Sequence, residues 1–276
     1  MGTFKPDWII GFSDTYFGIM AATLGQRFSC RSAVDAYDNY ESYLPWCTPL
    51  HFFWRQALSK ATAVTAAGPQ LAELLQQSRI GKPVYIVPMA ADPADFTPLD
   101  RTACRFELNL PRFRQIIGYC GSIYRNRGIG ILFDAHEILR KTGHDTDLVL
   151  TGRIGKSIKL PASAKWLGYL PDNKIPFFLN SLNIAVVSNR VSSFGSYSYP
   201  VKLYEAMKCQ IPVVATDTPA VNWILKGDER FLARPDNPDD LADKIRQSLT
   251  LDRIDYGLQT SWEQSCRYFE EVLLKQ

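Results

Sequence analysis

Short, wholly apolar runs alternate along this chain with stretches whose apolar residues recur every three or four positions. The first pattern predicts buried strands and the second predicts amphipathic helices. In the first third, residues 8–11, 32–37, 63–67 and 84–87 read as strands, and residues 18–24 and 69–77 as helices. Between them, Leu50, Phe53, Trp54, Ala57 and Leu58 fall at i, i+3, i+4, i+7 and i+8 and form one apolar helical face. Such an aromatic face suits either a core or a membrane surface, and the core reading is the expectation carried forward.

Residues 93–114 are rich in proline, charge and polar side chains, which places a domain boundary there. After it the alternation is cleaner. Strands are predicted at 115–120, 147–151, 165–167, 184–188, 212–216 and 230–233, and helices at 129–142, 172–181, 200–209, 219–226 and 238–250. Short apolar strands separated by helices indicate a parallel sheet covered on both faces, an α/β fold. A last helix over about 261–275 follows the polar break at Asp255-Tyr256-Gly257. The expected organisation is a partial N-terminal domain at 1–110, a second domain at 111–255 and a C-terminal helix at 256–276.

Composition narrows the class. At 276 residues and 46% hydrophobic, the chain can bury a substantial core. A net charge of +3 is too mild to argue for nucleic acid. The six cysteines show no CxxC pair or metal spacing, so reduced thiols, a cytoplasmic protein and no metal are expected. The opening residues lack a signal-peptide layout, and no apolar run reaches the ~20 residues of a membrane span. Peripheral contact with the inner face of a membrane stays open.

The candidate chemistry centres on residues 198–216. Pro200 fits the first turn of a helix, and the free N–H groups of that turn, with the helix dipole, make an anion seat. One turn on, Glu205 offers a carboxylate that can grip a diol. Its plainer reading is an i,i+3 ion pair with Lys202, worth about 0.2–0.5 kcal/mol at a surface. Earlier, a strand at 116–120 runs into Gly121-Ser122 and a loop carrying Arg125 and Arg127. No G-x-G-x-x-G is present. An arginine fork suits a diphosphate, and both arginines could equally be solvated loop charges. Residues 165–172 read as a strand, a glycine and a helix capped by Asp172. Tyr169 and Leu170 there could line a nucleobase or simply pack.

Taken in order, Gly121–Gly128, Gly152, Gly168-Tyr169-Leu170-Pro171, residues 184–188 and residues 200–216 resemble the donor half of a GT-B glycosyltransferase of the retaining, family 4-like type. The resemblance covers most of residues 60–250. It implies two Rossmann-like domains, with the C-terminal helix crossing back to the first. It also implies transfer of a sugar from a nucleotide-diphosphate-sugar, without a metal or other cofactor, and with retention at the anomeric carbon. Carried over residue by residue, it assigns Gly121, Ser122, Arg127, Ser198, Tyr199, Pro200, Val201 and Lys202 to the donor phosphates. Glu205 goes to the ribose, and Tyr169 and Leu170 to the base pocket. The acceptor is then a saccharide or a lipid-linked molecule.

Three departures stand out. Ser122 replaces a frequent arginine. Tyr197 occupies the position of the first glutamate of the family's E-x7-E pair. The first domain carries about four strands where such a lobe has roughly six, so it reads as incomplete, and a partner chain that completes it is one expectation. The alternative function is a non-catalytic subunit that binds nucleotide-sugar. On the acceptor side, Asp14 and Asp38 follow the first two strands and are the catalytic candidates. Both are also ordinary turn residues.

Overall fold

The computed structural model describes residues 5–276, and the opening residues 1–4 lie outside it. The chain folds as two units. Of the described residues, one unit comprises 5–89, 196–199 and 262–276, and the other 90–195 and 200–261.

In the first unit, β1 (Trp8–Gly11), α1 (Thr15–Arg27), β2 (Arg31–Ala36), α2 (Thr48–Lys60), β3 (Ala63–Ala66), α3 (Pro69–Gln76) and β4 (Tyr85–Ile86) follow one another. The strands form a parallel sheet in the order β1-β2-β3-β4. Among the described residues, β1 pairs on one side only. Gly18 of α1 lies against Val34 and Trp54, so α1 sits between the sheet and α2. Trp54, Ala57 and Leu58 of α2 are buried as expected, but Phe53 is 54% exposed. Its side chain falls just outside the arc that α2 turns inward, so the expected core face is narrower than its sequence pattern.

The second unit holds α4 (Arg101–Glu107), β5 (Gln115–Cys120), α5 (Ile129–Lys141), β6 (Thr146–Thr151), β7 (Ala164–Trp166), α6 (Ile175–Ser181), β8 (Ile184–Val187), α7 (Val201–Lys208), β9 (Val213–Thr216), α8 (Pro219–Ile224), β10 (Leu232–Ala233) and α9 (Pro238–Ser248). Its six strands are all parallel, in the order β10-β9-β8-β5-β6-β7. This is the doubly wound order, with the switch between β5 and β8. Ile117, Leu148, Leu150, Ile184 and Val186 meet Leu132 and Leu139 of α5 and Leu241 and Ile245 of α9 in one buried cluster. On the opposite face Gly118 is closely packed by Leu182.

The units divide between Met89 and Ala90, not at the expected 110–111. Residues 90–110 are tied to the second unit by side chains whose partners lie far along the chain. Arg105 donates to the Ser181 carbonyl and to Asn183 Oδ1, both at 2.8 Å, and Asn180 Oδ1 accepts from Leu99 N at 2.8 Å. The last helix, α10 (Trp262–Leu274), belongs to the first unit, in line with the expected crossing back to it. Its Val272, Phe269 and Leu273 pack with Ala33 and Ala63. Val34 meets α1 while its neighbour Ala33 meets α10, and successive strand residues point to opposite faces. The first sheet is therefore covered on both sides. No helix among the described residues is long and apolar enough to cross a membrane.

Candidate donor site

The carboxyl ends of β5 and β6 are drawn together at their glycines. Gly121 N donates to the Thr151 carbonyl at 3.0 Å, and beyond them Ile123 and Ile154 form a parallel bridge. Gly152 has φ +129° and lies so close to the Gly121 carbonyl that no side chain fits there. A cavity of about 350 Å³ opens over these two turns. Cys120, Gly121, Ser122, Thr151, Gly152 and Arg153 line one side, and Tyr169, Leu170, Asp172, Ile175 and Lys202 the other. Arg153 stacks on the exposed Tyr169 ring at 5.3 Å, a cation–π contact at the rim.

A second cavity of about 510 Å³ shares Asp172, Ile175 and Lys202 with the first. It is lined also by Glu205 and by the segment Ala94–Thr97. Lys202 stands in the first turn of α7, whose N-cap is Pro200. Its Nζ donates to Glu205 Oε1 at 3.3 Å and lies 3.0 Å from Oε2. Glu205 is only 6% exposed, and its Oε2 has no partner besides that ammonium. The surface ion-pair reading therefore fails for the carboxylate. Burial raises the Glu205 pKa, Lys202 pulls it back, and the charge of Asp172 raises it. The Lys202 ammonium is held above its ordinary range by Cys120 and Glu205, against the effect of burial. Burial pushes the Cys120 thiol up to about 12.

The cavity thus gathers Gly121, Ser122, Tyr169, Leu170 and Lys202 of the sequence candidates, with Glu205 beside it. Others go elsewhere. The Arg127 guanidinium stacks on Phe194 at 4.4 Å and does not line the cavity. Ser198 and Tyr199 are buried and fold with the first unit. Tyr199 Oη donates to Gln70 Oε1 at 2.8 Å and accepts from Leu71 N at 3.4 Å, and its ring covers Gly68. Pro200 and Val201 return to the second unit at the start of α7. Asp14 accepts from Tyr16 N at 2.8 Å and Phe17 N at 3.2 Å as the cap of α1. Asp38 is buried and accepts from Tyr43 Oη at 2.7 Å.

Asp172 is a correction. It opens a 3₁₀ turn before α6 and makes no cap bond, because Lys174 holds the cap position of α6. Freed from capping, it faces both cavities. Cys120, Arg153 and the 94–97 segment were also missed as wall residues. Nothing in their local pattern marks them.

Residues 114–250 match the family described as glycosyl transferases group 1. Most of the second unit is therefore similar to a group 1 glycosyltransferase domain. The capsular polysaccharide biosynthesis glycosyltransferase CapM of Staphylococcus aureus is 23% identical to this chain over 141 residues. The O-antigen chain mannosyltransferase B of Escherichia coli is 26% identical over 142 residues. Each match covers 48% of this chain and 36% of the relative, so the matched stretch is about a third of those proteins. Among solved structures, Anabaena HepE in complex with UDP and glucose superposes with a TM-score of 0.80 at 15% identity, over 98% of this chain and 78% of that one. Sucrose-phosphate synthase of Thermosynechococcus elongatus superposes with a TM-score of 0.76 at 18% identity, over 98% and 71%. These likenesses show the GT-B fold.

Proposed function

We propose that this chain binds a nucleotide-diphosphate-sugar in the second unit and transfers the sugar to an acceptor with retention of anomeric configuration. The observation that carries the reading is the cavity over the turns that follow β5 and β6. Glycine turns, a lysine ammonium and a helix N-terminus meet there beside a buried carboxylate whose ion-pair partner is that lysine. The turns and the cation suit a diphosphate, and Glu205 suits the ribose diol. Tyr169 and Leu170 form the base side. Complexes of HepE with UDP and with UDP-glucose support this class of donor.

In this reading the acceptor attacks on the face from which the nucleotide diphosphate departs, and a phosphate oxygen takes its proton. The protein orients the two substrates and neutralises the leaving group through Lys202 and the α7 amides. No cofactor is required. One named relative serves capsular polysaccharide biosynthesis and the other is an O-antigen chain mannosyltransferase, which supports a saccharide or lipid-linked acceptor. Peripheral membrane contact belongs to the same reading. Tyr16, Phe17 and Met20 of α1 and Phe52 and Phe53 of α2 are exposed, and neither helix carries an acidic residue. A partner chain would pair with the open edge of β1.

Calorimetric titration with UDP, GDP and ADP tests the core of the proposal. Binding of one of them below millimolar concentration, with turnover of its sugar conjugate, is the expected result. If none binds at millimolar concentration, the donor reading fails. The second reading, a nucleotide-sugar-binding subunit without turnover, is favoured by Tyr197 at the position of a sugar-contacting glutamate. Binding without hydrolysis or transfer would select it.

A further inference from the structure

Lys202 stands where the two cavities meet, and it is the cation that Glu205 touches. A buried carboxylate without that cation would take up a proton, because burial disfavours the charged form. A protonated Glu205 would be a poorer acceptor for two hydroxyls. The same ammonium lies beside the glycine turns that suit a phosphate. We propose that Lys202 has two alternating partners, the Glu205 carboxylate before the donor binds and a donor phosphate oxygen afterwards, so that the carboxylate stays ionised until the ribose hydroxyls replace the lysine. Lys202 is then a positioning residue for Glu205 as well as a phosphate ligand. The proposal rests on the donor-site reading.

The charged and titratable groups around Glu205 come from several elements. Lys202 lies on the same helix, Asp172 comes from the turn before α6, Cys120 ends β5 and Cys209 ends α7. Of these only Lys202 is cationic, and Asp172 opposes it. Removing the lysine therefore leaves nothing to hold the carboxylate ionised.

Lys202→Met, Lys202→Gln and Lys202→Arg separate the roles. In the ligand-free protein, the Glu205 carboxyl is followed by carbon-13 NMR across the pH range. Its midpoint should rise by about one pH unit or more in the Met and Gln variants and stay near the native value in the Arg variant. The tightest of UDP, GDP and ADP is then titrated between pH 6 and 8.5 alongside its nucleoside. Below the raised midpoint, both should bind the Met variant about tenfold more weakly per pH unit, while native binding changes little. At pH 8.5 the diphosphate should still be weakened about tenfold, and the nucleoside hardly at all. An unmoved Glu205 midpoint in two folded variants overturns the proposal. Equal loss of nucleoside and diphosphate at pH 8.5 overturns the exchange. If the midpoint moves but no nucleotide binds the native chain, the donor reading falls and the exchange with it, leaving the ion pair a structural contact.

Discussion

The backbone at Gly152 approaches the Gly121 carbonyl so closely that a Cβ on Gly152 would collide with it. The turns after β5 and β6 are fused at this point, and the cavity that Gly121, Ser122 and Arg153 line depends on that fusion. Gly152→Ala should therefore cost stability twice, through its φ of +129° and through the forced separation of the turns. We expect a loss of about 2–4 kcal/mol in a urea titration. Nucleotide affinity should fall more than in a variant of equal stability altered far from the cavity.

Glu205→Ala removes the buried acceptor and leaves Lys202 without its partner. Nucleotide affinity should weaken by about 1–3 kcal/mol, as for loss of a charge-assisted hydrogen-bond partner. Calorimetry with the best nucleotide measures it. An unchanged affinity would mean that the carboxylate serves only the fold.

His136 gives a pH dependence unrelated to the site. It is buried on α5, its Nε2 lies 3.1 Å from the Thr146 carbonyl, and its Nδ1 has no partner. Burial lowers its pKa below the ordinary 6.5. The folded chain then holds the ring neutral while the unfolded chain takes up a proton near 6.5, so this contribution is present above that pH and lost as the pH falls through it. The loss can reach about 1.4 kcal/mol per pH unit. The Tm of the native chain should drop between pH 7 and 5 by more than that of His136→Gln.

Arg79 is fully buried and donates to four carbonyls, those of Leu58, Ala61, Thr62 and Pro83, at 2.7–3.0 Å. It joins the end of α2 to the segment leading into β4. Arg79→Met should cost about 3 kcal/mol or more, because several buried acceptors lose a charged donor at once. Lysine, with one nitrogen in place of the fork, should not restore the loss. Denaturant midpoints of the two variants measure both expectations.

The alternation of apolar runs determined the strands, the helices between them and the parallel α/β class, because period and length are local properties of a chain. The α7 segment was equally legible, since Pro200, Lys202 and Glu205 lie within six residues. The tertiary structure alone decided what those residues meet. Glu205 and Lys202 were compatible with a surface pair until the fold buried the carboxylate. Asp172 looked like a cap and became a wall of both cavities, while Arg127, with the same charge pattern as a ligand, turned to Phe194. Tyr199, two residues before α7, was taken by Gln70 and Leu71, far away in sequence. Local pattern says which side of an element is buried, but the partner of a loop side chain is set by distant segments. The sequence thus settled the helix that could hold a diphosphate, and packing decided which side chains surround it.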